Sequence, residues 1–144
     1  MKLNDIIEEG KIDLKIDETL LDEESLKSVS LMQKWSTILN QEELLLLKHK
    51  QELAVETRFK IEYFRGKLGK TELKERGLSQ FLDKLSNSDI SRYLDSDEEI
   101  QKIKMKNDYQ IKKIELIRNY MDAIRQRTWS IKNAIEYKKY ISGA

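Results

Sequence analysis

Apolar positions along this chain fall mostly at helical spacing. After an amphipathic opening with Leu3, Ile6 and Ile7, Gly10 interrupts the pattern, and Ile12, Leu14 and Ile16 alternate with Asp13 and Lys15. That alternation predicts one short strand in an N-terminal segment spanning residues 1–18. A lone strand leaves its ladder groups unpaired, so it would pair with the same segment of a neighbouring subunit or with another chain terminus. Asp17 or Thr19 then caps a helix over residues 19–66, with Leu20, Leu21, Leu26, Val29, Met32, Trp35, Ile38 and Leu39 on its apolar face. Asn40 and Glu43 resemble a capping box inside this run, where the helix either restarts or, as favoured here, continues with a bend through Leu44, Leu47, Leu53 and Phe64. Gly66, Gly69 and Gly77 fall within twelve residues and mark the main break. The connector over residues 67–95 carries a short helix from residue 78 that ends near the polar SNSD.

Ser96 with Glu99 forms a capping box for a long helix over residues 96–141, which lacks glycine and proline. Its seam runs through Ile100, Ile103, Asn107, Gln110, Ile114, Ile117, Met121, Ile124, Thr128, Ile131 and Ile135 in steps of three and four, which is coiled-coil spacing. At ~1.5 Å per residue this helix would be about 65 Å long, so it bends, breaks or serves an assembly. The polar seam residues read two ways. Either the helix rotates so that Ile111 replaces Gln110, or Asn107, Gln110 and Thr128 set register in an oligomer.

Composition narrows the function classes. The 144 residues contain no proline and no cysteine and a single histidine, so the fold is mainly α, with long helices in a hairpin-like arrangement. Thiol chemistry is excluded, and a zinc site or histidine triad has few donors to use. His49, between Lys48 and Lys50, reads as an ordinary exposed or half-buried residue. The acidic runs sit at helix starts and complement the helix dipole, so the chain is not expected to be an enzyme, nor to need a cofactor or metal. The opening lacks the apolar stretch of a signal peptide, and the longest apolar run, Leu44 to Leu47, is far short of the ~20 residues that span a bilayer.

Charge is nearly balanced overall, with 27 basic and 26 acidic residues, yet residues 1–25 sum to −6 and residues 100–144 to +7. Between them Arg58, Lys60, Arg65, Lys67, Lys70, Lys74 and Arg76, diluted by Glu62, Glu72 and Glu75, give +4 over nineteen residues. In RFKIEYFRGK the cations Arg58, Lys60, Arg65 and Lys67 interleave with Tyr63 and Phe64, pairing phosphate-neutralising groups with flat faces for unstacked bases. The bland alternative is a solvated helix end whose aromatics belong to the core. Trp35 reads as core. Trp129, after Arg125 and Arg127, reads either as a subunit contact or as part of a second basic strip.

The strings MKLNDI, QKW ending at Trp35, IEYFRG at residues 61–66 and MDAIRQRTWSIKNA at residues 121–134 together resemble the UvsY recombination mediator family of T-even-like phages. The match covers nearly the whole chain and is poor from Leu68 to Ser96. The resemblance implies a non-enzymatic protein of the infected host's cytoplasm that binds single-stranded DNA coated by a phage single-strand binding protein. It also implies that the protein helps a UvsX-like recombinase load, and that it assembles into a ring-like homo-oligomer, a hexamer or heptamer. The family's DNA-binding segment maps onto Arg58 and Lys60, ahead of Tyr63 and Phe64, with the family's lysine-then-arginine order swapped. Self-association maps onto residues 100–144, with Ile114, Ile117, Met121, Ile124, Trp129, Ile131 and Ile135 as contacts. The competing reading is a structural coiled-coil scaffold without nucleic-acid binding.

Overall fold

A computed structural model describes residues 1–143 and contains five helices: α1 (Leu3–Asp13), α2 (Leu21–Phe64), α3 (Lys70–Glu75), α4 (Asn87–Ser96) and α5 (Glu98–Ser142). There is no strand among the described residues. The chain forms two compact units. One holds Met1–Leu45 together with Gln110 and the residues after it, and the other is Leu46–Tyr109. In each unit a stretch of α2 packs against a stretch of α5.

In the first unit the buried cluster is Ile6, Trp35, Ile38, Ile117, Met121 and Ile124, with Tyr120, Met32 and Leu39 packed against it. The expected strand at residues 12–16 is replaced by the end of α1 and a turn. Leu3, Ile6, Ile7, Gly10 and Leu14 follow a helical period, and Gly10 lies against the Tyr120 ring, where a Cβ would come within 2.4 Å of it. Gly10 is therefore a close-packing position and not a breaker. Ile12, one of the three apolar residues of the apparent alternation, is exposed. The Trp35 indole meets Tyr120 edge-on at 5.2 Å and donates to Asp13 Oδ2 at 2.9 Å, while Lys34 bridges Asp13 and Glu9 at 2.8 and 2.6 Å. Before α2, Asp17 accepts from the Thr19 amide and hydroxyl in a turn. The helix then continues without a break at Asn40. Leu26 and Val29, expected on its apolar face, are about four-fifths exposed.

Of the three polar seam residues of α5, Asn107 and Gln110 are buried in the seam and Thr128 is not. Gln110 is 2% exposed and donates to the carbonyl and the carboxylate of Glu42 at 2.8 and 2.6 Å, so Ile111 does not replace it. Lys113 Nζ meets the same carboxylate at 2.8 Å, and the Met1 ammonium reaches its other oxygen at 2.8 Å. Thr128 is exposed, and its neighbour Arg127 turns inward to pair with the buried Glu24.

In the second unit Gly66 (φ +69°) closes α2, with the Lys67 amide donating to the Glu62 carbonyl at 3.0 Å. Gly77 (φ +64°) closes α3 in the same manner through Leu78 and Leu73. Both are left-handed helix ends that favour glycine. Residues 78–86 are not helical, contrary to the expectation of a helix from residue 78. SNSD is instead the beginning of α4: the Ser86 hydroxyl accepts from the Asp89 amide and donates to the Asp89 carboxylate at 2.8 Å. The cap of α5 is likewise displaced by one residue. Ser96 ends α4, and Asp97 accepts from the Ile100 amide at 3.0 Å. His49 is buried.

Candidate nucleic-acid interface

Arg58, Lys60, Tyr63, Phe64, Arg65 and Lys67 lie on the last turns of α2 and the loop behind it, all within the second unit. Helical geometry then sends them in different directions. The Arg58 side chain is 83% exposed and meets Glu62 one turn on at 3.3 Å, a solvated pair that leaves the guanidinium open to other anions. Arg65 and Lys67 are exposed and form no ion pair among the described residues. Lys70 and Lys74, on α3, are exposed on the same unit.

Lys60 points inward. Its Nζ lies 3.3 Å from Asp97 Oδ1 and 3.3 Å from Glu99 Oε2, and the side chain is 9% exposed. Burial works against its charge, but Glu99 and Asp97 more than offset that and hold its pKa above the ordinary lysine range. Beside it, Arg76 makes a bidentate pair with Glu56 at 3.0 and 2.9 Å and stacks over Phe59 at 3.9 Å from the ring centroid. The Arg76 guanidinium holds the Glu56 carboxyl below its usual range. Sequence reading placed Arg76 in the basic cluster but gave it no role. Its partner Glu56 is twenty residues away, so no local pattern marks the pair.

The aromatic pair takes part in packing, Phe64 fully and Tyr63 in part. Phe64 is buried, and its ring contacts Tyr63, Phe81 and Tyr93 at 5.3 to 5.5 Å. Tyr63 is half-buried and donates to the Ser79 carbonyl at 3.0 Å. Tyr93 is the more exposed ring of this cluster. The arrangement is a ring-packed helix end carrying exposed cations, which can take backbone phosphates.

Of the residues expected to mediate self-association, Ile114, Ile117, Met121, Ile124 and Ile131 are buried within the chain's own first unit. Trp129 is 64% exposed, with Lys132 Nζ 5.4 Å from its ring, and Ile135 is half-buried. Tyr137, Tyr140 and Ile141 extend the exposed apolar surface along α5. Among the described residues no helix is long and apolar enough to cross a membrane, and no group of His, Cys, Asp or Glu is arranged to hold a metal ion.

The recombination protein uvsY of Enterobacteria phage T4 is 26% identical over 147 residues, covering 99% of both chains. Two crystal structures of the bacteriophage T4 recombination mediator protein UvsY share this fold. One has a TM-score of 0.85 at 23% identity, covering 97% of this chain and 99% of that one, and the other has a TM-score of 0.84 at 24% identity, covering 99% and 98%. The sequence profile of the recombination, repair and ssDNA binding protein UvsY matches residues 9–144. With so little of the chain outside that match, it belongs to the UvsY family of recombination mediators, single-stranded-DNA-binding proteins that are not enzymes.

Proposed function

We propose that this chain acts on single-stranded DNA through the basic end of α2 and promotes loading of a UvsX-like recombinase onto strands coated by a phage single-strand binding protein, in the cytoplasm of the infected host. The observation that carries this reading is the family match over residues 9–144, together with the placement of Arg58, Arg65 and Lys67 as exposed cations at one helix end. Those three take phosphates. Tyr63 and Phe64 hold the helix end through the ring cluster, with Tyr63 the half-exposed ring available to a base. Lys60 sits behind this surface in its ion pairs.

The working form is a ring-like homo-oligomer, a hexamer or heptamer, assembled through α5. Support comes from the exposed apolar surface of Trp129, Tyr137, Tyr140 and Ile141, a run of large side chains that water solvates poorly. A ring presents one modest cationic site several times, so effective concentration converts weak single-site affinity into wrapping of the strand.

Titration of a fluorescent oligo-dT with an Arg58→Ala, Arg65→Ala double variant tests the assignment. Affinity falls at least roughly tenfold at low salt, while sedimentation still reports the assembled particle. Unchanged binding overturns this interface and moves the DNA site to another surface of the chain, whereas a parent chain that fails to bind oligo-dT favours the scaffold reading.

A further inference from the structure

Two cations and three carboxylates meet where α2, the turn after α3 and the start of α5 come together in the second unit: Lys60 and Arg76 with Glu56, Asp97 and Glu99. Two of the carboxylates have structural work. Glu56 clamps the Arg76 guanidinium with both oxygens, and its side chain is 11% exposed. Asp97 divides its oxygens, Oδ1 toward Lys60 and Oδ2 on the Ile100 amide as the cap of α5. Glu99 is different. It is 57% exposed, and a single atom, Oε2, faces both cations, 3.3 Å from Lys60 Nζ and 3.8 Å from Arg76 Nη1.

We propose that Lys60 and Arg76 form a phosphate subsite which the Glu99 carboxylate occupies in the free protein and which a backbone phosphate of the bound strand takes over. A phosphodiester carries one negative charge, as the Glu99 carboxylate does, so the exchange leaves the charge of the cluster unchanged. It also offers two anionic oxygens, enough to reach both cations at once, whereas Glu99 serves both with one. The cost of exchange is small because Glu99 is largely solvated and swings out on a flexible stem into water. Arg76 keeps its orientation through Phe59 and Glu56. Glu99 thereby acts as an internal competitor, admitting nucleic acid but screening the lysine from weaker anions. This inference rests on the reading of the α2 end as the DNA interface and adds Arg76 and Glu99 to it.

The test compares Glu99→Gln with Glu98→Gln, which removes an equal charge from an exposed neighbour, in oligo-dT titrations with folding checked by thermal unfolding. Glu99→Gln is expected to tighten binding roughly three- to tenfold, Glu98→Gln to have a clearly smaller effect, and the difference to vanish in an Arg76→Gln background. Lysine acylation mapped by mass spectrometry supplies a second readout independent of affinity. Lys60 becomes more reactive in Glu99→Gln, and oligo-dT suppresses that reactivity. Equal effects of the two glutamine variants, or a gain that persists without Arg76, overturn the inference while leaving the interface standing if Arg58→Ala, Arg65→Ala still weakens binding. If that double variant binds normally and oligo-dT protects no lysine between residues 58 and 76, the interface itself is wrong.

Discussion

Glu42 shows how a single side chain is tuned by its surroundings in the first unit. Burial pushes its pKa up, but Lys113, the Met1 ammonium and Gln110 all donate to the carboxylate and bring it down to about 2. A carboxyl whose folded pKa is depressed contributes stability that is complete above the unfolded value near 4.5 and is lost as pH falls toward 2. Thermal unfolding temperature is therefore expected to drop between pH 5 and pH 2. Glu42→Gln should flatten that part of the profile while costing roughly 3–5 kcal/mol at neutral pH, because it leaves Lys113 buried against a neutral partner. A variant with the same acid sensitivity as the parent would assign that sensitivity elsewhere. At this scale the sequence showed which side chains were cationic but not where they point. Arg58 and Lys60 are two residues apart, about 200° around a helix, so one meets solvent and the other the Asp97 and Glu99 carboxylates. Choosing between those directions requires knowing that α5 lies on the Lys60 side, a contact nearly forty residues away in sequence.

Elements were legible in proportion to their length. α2 and α5 carry enough helical turns for their period to be plain, and the absence of proline leaves nothing to interrupt them. The short pieces are ambiguous where one local signal has two meanings. SNSD is polar, which suits a helix end, but Ser86 and Asp89 have the spacing of a cap and start α4. Ile12, Leu14 and Ile16 alternate, yet the preceding Leu3, Ile6, Ile7 and Gly10 set the helical period that decides α1. The packing of α1 gives a prediction whose sign separates two effects. In helix propensity alone, Gly10→Ala would gain about 1 kcal/mol. The Cβ would however meet the Tyr120 ring at 2.4 Å, and overpacking of this kind costs roughly 1–3 kcal/mol. Net destabilisation is expected in thermal or urea unfolding, reduced when Tyr120 is also changed to Leu. Stabilisation by Gly10→Ala would mean that α1 does not sit closely on that ring.

Over the whole molecule, charge sum says little and charge placement says more. The chain is nearly neutral, so in the proposed assembly nucleic-acid affinity rests on a repeated local surface and not on a general positive field. The self-association seam expected on α5 shows why assembly is hard to read from one sequence. Coiled-coil spacing marks the face that is buried, but Ile117, Met121 and Ile124 spend it on Trp35 and Ile38 of the same chain. What remains for the proposed assembly is the exposed surface around Trp129 and the end of α5. In the proposed mechanism several copies of the α2 end engage one strand together. Salt dependence of oligo-dT binding, measured alongside sedimentation, addresses it most directly. One subunit offering Arg58, Arg65 and Lys67 can give a slope of log affinity against log salt of only about −2, at ~0.7 per neutralised phosphate. An assembled particle is predicted to give a slope steeper than about −4. A slope near −2 or shallower, or a particle that sediments as one chain while binding at full strength, would contradict it.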